Sequence, residues 1–305
     1  MIAWLLAGQG AEHAGMGLEL ARWYRPATKL WEQASEAAGI DLVRMVEVGG
    51  RSLVRTEYLQ PALTAVALAA ASFLRDEGIE PSMALGHSAG EIGALALSGH
   101  VSFEQAGCLS AARGRAMATA ARERPGGMAA VHGPEARLDE VLEAGRRAGA
   151  IFYAGQTTAD THLVAGEHAA LRAAASLSRV SLLPVSGPWH SSLMEQAVSE
   201  LRPVAKSIIG DARGTIAWVS NETAERGPTR AEHAIELVLS QLIRPMRLHQ
   251  AIELLLAEGA SEIVVLGPDH SLRHIVQRHL EKHPAVRIHG SSSLEALRAL
   301  VTELA

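Results

Sequence analysis

The sequence predicts an α/β fold, in which a large α/β-hydrolase-like parallel-sheet domain carries an inserted, small ferredoxin-like (α+β) subdomain. Three observations lead to this prediction. Short apolar runs alternate with Ala-rich amphipathic helices along most of the 305 residues, which is the pattern of a parallel sheet covered by helices. Residues 126–186 instead follow the order strand, helix, two strands, helix, strand. The pentapeptide Gly86–Gly90 stands between an apolar run and a small-residue helical run, as in a nucleophile elbow.

The large domain is expected to comprise residues 1–125 and 187–305. Its predicted elements, in order, are a strand at Ile2–Leu6, helices at Met16–Trp23 and Lys29–Ala38, a strand at Met83–Leu85, a strand at Thr215–Ser220, helices at Arg230–Leu242 and Leu248–Glu258, and a strand at Glu262–Leu266. The first strand is too short to span a membrane and lacks the features of a signal peptide. We therefore expect a cytoplasmic protein.

The inserted subdomain is expected to cover residues 126–186. The change of pattern begins at Pro125–Gly127. Its predicted elements are a strand at Met128–Val131, a helix at Glu135–Ala148, strands at Ile151–Tyr153 and His162–Val164, a helix at Glu167–Ser178 and a strand at Val180–Pro184. This order of elements is that of a ferredoxin-like unit.

Composition excludes several classes of function. The hydrophobic fraction of 48% is enough for a substantial core, and the formal charge of −5 gives no general attraction to nucleic acid or to anionic membranes. A single cysteine, Cys108, rules out an internal disulfide and a cysteine-based metal cluster. Because its neighbours are Ala106, Gly107 and Leu109, we expect Cys108 to be a buried structural thiol.

Ser88 is the candidate nucleophile. In a nucleophile elbow the backbone bends so sharply that side chains two residues before and after the serine would clash, which explains Gly86 and Gly90. The hydroxyl is then presented at the end of a strand, above a helix N-terminus whose amides can stabilise an anion. A chance match in a small-residue turn is the alternative.

His190 is the candidate base among 14 histidines. Histidines with charged neighbours, such as His274, His279 and His283, are expected to be solvated. His190 instead follows the rigid turn Val185–Trp189, where the chain leaves the insert. A histidine at such a junction can face a nucleophile across a cleft. The alternative is a helix-capping or core histidine.

Several further fragments carry a family resemblance. In order they are Ala7–Gly10, Gly15–Gly17, Gln60–Leu63, Gly86–Glu91, Arg113–Met117, Gly127–Ala130, Pro188–Met194, Asn221 and Gly267–Pro268. Together they resemble the malonyl-CoA:acyl-carrier-protein transacylases, the acyltransferases of fatty-acid and polyketide synthesis, along nearly the whole chain. The resemblance implies that Ser88 attacks an acyl thioester and that His190 accepts its proton. A backbone carbonyl near Arg247 would orient the histidine.

The resemblance also implies an oxyanion hole and a substrate pocket. The backbone N–H groups of Gln9 and Ala89 would form the oxyanion hole. Substrate-binding residues would be Arg113, Gln60, His87 and Trp189. The Arg113 guanidinium would clamp the free carboxylate of a malonyl group through two parallel hydrogen bonds, the alternative being a solvated arginine on a helix face.

Two segments depart from the family pattern. Trp189 stands where a smaller residue is usual; an indole facing the pocket would favour unbranched malonyl, and an indole packed between the domains would not. The segment Gln156–Asp160 replaces a turn that often faces the cleft, so its contacts with the substrate are open.

The resemblance leaves three functions to weigh. The first is malonyl transfer from CoA to an acyl carrier protein, with malonyl-CoA as substrate and without metal or bound cofactor. The second is an editing acyl hydrolase, against which the presence of Arg113 argues. The third is a catalytically silent carrier-docking protein, against which Ser88, His190 and Gln9 argue. We expect a monomer. Candidate basic residues for docking an acidic carrier are Arg115, Arg122, Arg124, Arg273, Arg278 and Lys282.

Overall fold

The strands of this protein form two separate sheets. The computed structural model describes residues 1–304. The strands in this part of the chain are β1 (Ile2–Leu6), β2 (Met83–Gly86), β3 (Gly126–His132), β4 (Ile151–Thr158), β5 (Thr161–Glu167), β6 (Val180–Leu182), β7 (Ala217–Val219), β8 (Met246–Arg247), β9 (Glu262–Leu266) and β10 (Arg287–Gly290).

Helices cover both sheets. The α-helices among the described residues are α1 (Leu18–Trp23), α2 (Arg25–Ala38), α3 (Leu42–Val48), α4 (Thr56–Asp76), α5 (Glu91–Leu97), α6 (Phe103–Glu123), α7 (Glu135–Arg146), α8 (His168–Ala175), α9 (Glu195–Ile208), α10 (Ala231–Ser240), α11 (Leu248–Ala257), α12 (His270–Leu280) and α13 (Leu294–Leu304). The helices α3, α4 and α13 and the strand β10 had no counterpart among the sequence-predicted elements.

The first sheet is parallel, with strand order β10-β9-β1-β2-β7. Along β1, Trp4 and Leu6 join the apolar cluster on one face, and Ala3 and Leu5 join the cluster on the other. All four are fully buried. A parallel sheet covered by helices on both faces requires such a continuous apolar run, and this explains why β1 lacks the alternation of a half-exposed strand.

Helix α4 passes through the centre of the large domain. By length and composition it is the helix, among the described residues, that could cross a membrane, but 83% of its apolar stretch is buried inside the fold. It packs against α2 and α6. This makes it a core helix, and its contact with α6 places Gln60 opposite Arg113.

The second sheet has the order β6-β3-β5-β4-β8. Its first four strands pair antiparallel and come from the predicted insert, with α7 and α8 between them. This is the βαββαβ arrangement of a ferredoxin-like unit, and the predicted fold class is confirmed. The sequence did not predict β8, which pairs parallel to β4 through Gly155 opposite Met246 and Gln156 opposite Arg247.

Two predicted side-chain environments are wrong. Cys108 is exposed, because α6 turns its neighbours Ala106 and Leu109 towards the core and Cys108 away from it. His279 was expected to be solvated but is only 5% exposed. Its Nε2 lies 2.8 Å from Nδ1 of His249, and its Nδ1 donates to the Ile275 carbonyl at 2.9 Å.

Candidate active site

Ser88 lies in a tight turn between β2 and α5. Its φ of 51° is in the left-handed region that residues with side chains rarely adopt. A Cβ added at Gly86 would lie 2.1 Å from the backbone nitrogen of Glu91, and one added at Gly90 would lie 2.2 Å from the Leu6 carbonyl oxygen. Both distances are far below van der Waals contact, so the turn requires glycine at these two positions.

Ser88 and His190 are brought into direct contact. The Ser88 Oγ lies 2.8 Å from Nε2 of His190, and Nδ1 of His190 lies 2.8 Å from the backbone oxygen of Gln241. Because a carbonyl oxygen only accepts, Nδ1 carries the proton and Nε2 is free to accept the Ser88 hydroxyl. His190 is 1% exposed and, like Ser88, has a positive φ, of 59°.

The expectation that the orienting carbonyl lies near Arg247 is wrong. Gln241 supplies it, directly after the last residue of α10. The carbonyl groups at a helix C-terminus lack intrahelical partners and are available to a side chain. Arg247 lies further along, in β8, where its backbone N–H donates to the Asn221 carbonyl at 2.7 Å.

Burial keeps both histidines of the site neutral. It lowers the pKa of His190 to about 3, and the positive charge of Arg113 acts in the same direction. Burial likewise lowers the pKa of His87 to about 4. A neutral His190 can accept the Ser88 proton at neutral pH. The Nε2 atom of His87 is buried and has no hydrogen-bond partner within residues 1–304.

The loop containing Gln9 lies against the elbow. The strands β1 and β2 are neighbours, and the backbone N–H of His87 donates to the Leu6 carbonyl at 3.0 Å. A Cβ added at Gly8 would lie 2.3 Å from the His87 oxygen, so glycine permits this close approach. In the described part of the chain, the backbone N–H groups of Gln9 and Ala89 make no hydrogen bond. Both amides are therefore available to a ligand.

Arg113 is a buried cation in α6, 1% exposed. Its Nη1 donates to Oε1 of Gln60 at 2.7 Å and its Nη2 to Oε1 of Gln241 at 2.8 Å. Burial lowers the pKa of Arg113 to about 10, so it is charged at neutral pH. Both hydrogen-bond partners are neutral amides, so no carboxylate of the described chain is bonded to the guanidinium, and a buried charge without a directly bonded counter-charge is unfavourable. The site is therefore suited to an anion.

Gln60 connects Arg113 with the Gln9 loop. It is fully buried in α4, and its Nε2 donates to Oγ1 of Thr56 at 2.7 Å. The Thr56 hydroxyl donates to Oε1 of Gln9 at 3.3 Å. This chain of side chains explains how a residue on α4 and a loop after β1 are held in one arrangement.

Trp189 packs into the main apolar core and is 4% exposed. A Cβ added at Gly187 would lie 2.3 Å from its ring, so the indole lies directly over that glycine. Its Nε1 has no hydrogen-bond partner among the described residues. The environment matches the packed alternative more closely than a ring standing free in a pocket.

A cavity of about 730 Å³ opens where β4 and β8 meet. Gln156, Arg244 and Arg247 are among its lining residues, together with Glu222, which follows Asn221 in the chain. Asp160, the last residue of the Gln156–Asp160 segment, is held elsewhere, because both of its carboxylate oxygens accept from Nη2 of Arg278 at 2.8 Å.

Comparison with known proteins identifies the family. The family described as "Acyl transferase domain" matches residues 3–290. The chain belongs to this acyl transferase family. It is 30% identical to the malonyl CoA-acyl carrier protein transacylase of Bacillus subtilis (strain 168), over 99% of this chain and 98% of that one.

Solved structures of other acyl transferases have the same fold. The MCAT of Streptococcus pneumoniae is 30% identical and superposes with a TM-score of 0.89, with 100% of each chain covered. A malonyl-transacylase solved in complex with a type II polyketide-synthase acyl-carrier protein is 26% identical, also with a TM-score of 0.89 and 99% of each chain covered.

The basic residues of this acyl transferase differ in how far they are paired. Arg278 pairs with Asp160, Arg273 lies 4.0 Å from Asp269, Arg115 donates to the Ala37 carbonyl at 2.7 Å, and Arg122 donates to Thr119 at 3.0 Å. Arg124 and Lys282 are exposed. Arg278 is thus the least suited of the six to meet an acidic partner, because its charge is already neutralised.

Three buried polar residues of this acyl transferase received no role from the sequence. Glu91, Asn221 and Gln241 are all 2% exposed or less. The Ser88 backbone N–H donates to Oδ1 of Asn221 at 3.2 Å. Burial raises the pKa of the Glu91 carboxyl group, while the Asn221 N–H and the positive charge of Arg113 act in the opposite direction and favour the unprotonated form. Glu91 and Asn221 fall within the fragments that carry the resemblance, which was the available signal; Gln241 acts at His190 through its backbone, which leaves no side-chain signature.

Proposed function

We propose that this acyl transferase moves a malonyl group from coenzyme A to the phosphopantetheine thiol of an acyl carrier protein. The observation that carries the proposal is Arg113, a buried guanidinium whose hydrogen bonds go only to neutral amides. A malonyl thioester brings a free carboxylate, and a planar guanidinium binds a carboxylate through two parallel charge-assisted hydrogen bonds. The names of the similar proteins support the same substrates.

The first half-reaction loads Ser88. Its Oγ attacks the thioester carbonyl while Nε2 of His190, at 2.8 Å, accepts the hydroxyl proton. The backbone N–H groups of Gln9 and Ala89 stabilise the oxyanion of the tetrahedral intermediate. The C–S bond then breaks, His190 returns the proton to the CoA thiolate, and a malonyl ester remains on Ser88.

The second half-reaction reverses these steps with a different thiol. Nε2 of His190 accepts the proton of the carrier thiol, whose sulfur attacks the Ser88 ester. The same two amides stabilise the second oxyanion, and the proton passes to Oγ as the ester bond breaks. During both halves Arg113 holds the carboxylate, while Gln60 fixes Nη1 of Arg113. His87 is proposed to border the acyl group, with Trp189 packed in the core behind it.

The cavity beside β8 is the proposed approach for coenzyme A. Arg244 and Arg247 line it, and two guanidinium groups suit the phosphate groups of coenzyme A. Acyl transfer from a thioester needs a nucleophile, a base and an anion site, so we expect no metal and no bound cofactor. The monomeric state, the cytoplasmic location and the boundaries of the insert at residues 126 and 186 stay predictions.

The test is acyl transfer followed by intact-protein mass spectrometry. Malonyl-, methylmalonyl- and acetyl-CoA are incubated with the wild type and with Ser88→Ala, with and without a phosphopantetheinylated carrier protein. Malonyl on the wild-type enzyme, its passage to the carrier and the absence of both in Ser88→Ala are the expected results.

Two other results would overturn the proposal. An acyl-enzyme that forms from acetyl groups and only hydrolyses, without labelling the carrier, would favour the editing hydrolase. Carrier binding without any acyl-enzyme, unchanged in Ser88→Ala, would favour the silent docking protein.

A further inference from the structure

Glu91 is a buried carboxyl group to which the acyl-transfer steps assign no task. It begins α5, directly after the elbow, and is 2% exposed. Its Oε1 accepts the backbone N–H of Asn221 at 3.2 Å, and its Oε2 accepts the side-chain amide of Gln241. Asn221 in turn accepts the backbone N–H of Ser88. Through these two partners Glu91 is linked by hydrogen bonds to both Ser88 and the Gln241 side chain, and its charge also acts on Arg113 through space.

Gln241 serves two members of the proposed site at once. Its backbone oxygen accepts Nδ1 of His190 at 2.8 Å, and its Oε1 accepts Nη2 of Arg113 at 2.8 Å. The residue is 1% exposed, so no solvent replaces a lost partner. The position of one buried glutamine therefore affects both the base and the carboxylate clamp.

The donors and acceptors allow only one orientation of the Gln241 amide. A guanidinium only donates, and a carboxyl oxygen without a proton only accepts. An amide between them satisfies both when its oxygen faces Arg113 and its nitrogen faces Glu91, as observed. Without the acceptor at Glu91, the amide nitrogen keeps only a long contact of 3.5 Å with the Ser88 carbonyl, and rotation of the amide would place its NH₂ group against the guanidinium.

The amide also separates the two ionisable groups. A direct Glu91–Arg113 ion pair would occupy the guanidinium and compete with an incoming carboxylate. With Gln241 between them, the acid fixes the orientation of the clamp without occupying its binding face.

We propose that Glu91 is a positioning residue, which holds Gln241 so that its carbonyl faces His190 and its side-chain oxygen faces Arg113. Glu91 thereby contributes to the preference for acyl groups that carry a carboxylate. This inference rests on the proposed malonyl transfer. It concerns a residue that touches neither the acyl group nor the thiol.

The test compares Glu91→Gln with Glu91→Asp. Glutamine preserves volume but offers one acceptor where two N–H donors converge, whereas aspartate restores both acceptors on a shorter side chain. Displacement of reacting groups by about 1 Å lowers rates by about 100-fold, so kcat/KM for malonyl-CoA should fall by about 10- to 100-fold in Glu91→Gln. The value for acetyl-CoA should fall less, because acetyl does not use the clamp. Glu91→Asp should retain more of the malonyl:acetyl ratio than Glu91→Gln.

A matched control separates positioning from general destabilisation. Ser98 is 3% exposed and follows α5, and its hydroxyl donates only to the Leu95 carbonyl at 2.9 Å. Ser98→Ala therefore loses a buried hydrogen bond without touching the network, and its malonyl:acetyl ratio should match the wild type. Thermal midpoints are measured for all variants.

The outcomes distinguish the inference from the function on which it rests. A wild type that forms malonyl-enzyme, with an unchanged malonyl:acetyl ratio in Glu91→Gln, refutes the positioning role and leaves the malonyl transfer standing. A malonyl:acetyl ratio that is better preserved in Glu91→Gln than in Glu91→Asp would show that side-chain volume matters rather than the two acceptors. This result also refutes the positioning role. If Glu91→Gln does not fold, Glu91→Ala takes its place: a wild-type malonyl:acetyl ratio in Glu91→Ala, which offers the Gln241 amide no acceptor at all, refutes the role. A wild type without malonyl-enzyme overturns both conclusions.

Discussion

Replacing Arg113 by alanine should convert a carboxylate-selective enzyme into one that hardly distinguishes malonyl from acetyl groups. The guanidinium is buried, and its two hydrogen bonds within the described chain go to the side-chain oxygens of Gln60 and Gln241. In the proposed complex it adds two hydrogen bonds to the malonyl carboxylate. A hydrogen bond to a charged group contributes about 1.5–3 kcal/mol, so the lower limit for two is about 3 kcal/mol. At about 1.4 kcal/mol per tenfold change, this corresponds to a loss of about 100-fold in kcat/KM for malonyl-CoA.

Acetyl-CoA serves as the control substrate, because its rate depends on the rest of the site but not on the Arg113 clamp. It has no carboxylate, so Arg113→Ala should change its kcat/KM only through altered packing. Arg113→Lys retains one point charge without the planar fork and should give an intermediate malonyl:acetyl ratio. The measurement is the initial rate of acyl-enzyme formation, followed by quenched-flow mass spectrometry with each thioester.

A control on the same helix guards against an indirect effect. Arg115 is exposed and donates to the Ala37 carbonyl, so Arg115→Ala should leave the ratio unchanged. Arg113→Ala also leaves two buried amide oxygens without a donor, and its thermal midpoint must be measured beside the rates. A malonyl:acetyl ratio that stays at the wild-type value in a folded Arg113→Ala protein would refute the clamp.

Three further predictions follow from contacts and charges. Gly8→Ala places a Cβ about 2.3 Å from the His87 oxygen and should lower acyl-enzyme formation for every thioester alike; a change confined to malonyl would contradict the oxyanion role of this loop. The folded pKa of His190 is about 3 and the unfolded value is about 6.5. Between these values the unfolded chain binds a proton that the folded chain does not, so the free energy of unfolding decreases as the pH decreases; about 2 kcal/mol is lost between pH 7 and pH 5. In chemical denaturation, the free energy of unfolding of His190→Gln should decrease correspondingly less between pH 7 and pH 5. Equal decreases in the wild type and the variant would show that the folded protein does not lower the pKa of His190. Arg124→Glu should raise KM for an acidic carrier without changing KM for malonyl-CoA, more so than Arg278→Glu, whose charge is already paired; equal effects would exclude the patch around Arg124.

The local backbone rules of the elbow made it predictable from sequence. Gly86 and Gly90 stand where added Cβ atoms would meet backbone atoms, so the positions of the two glycines indicate the turn directly. The strands β1, β2 and β9 were equally visible, because burial on both faces leaves uninterrupted apolar runs. His190 was singled out because it stands where the chain leaves the insert.

Contacts between distant segments were not predictable in the same way. The Gln241 carbonyl serves His190 across 51 positions in sequence, and every residue type has such a carbonyl, so the sequence carried no mark of it. The burial of His279 did have a signal that was overlooked. Leu272, Val276, His279 and Leu280 follow the spacing of one helix face, whereas the charged neighbours of His279 suggested a solvated position.

The left-handed backbone at Ser88 has a consequence for engineering this protein. A residue with a side chain held in that region carries about 1–3 kcal/mol of strain, and glycine at φ 51° would carry little of it. Ser88→Gly should therefore yield an inert protein that melts at a higher temperature than the active one. Directed evolution that selects for thermal stability alone would favour Ser88→Gly, so each round must also select for catalytic activity.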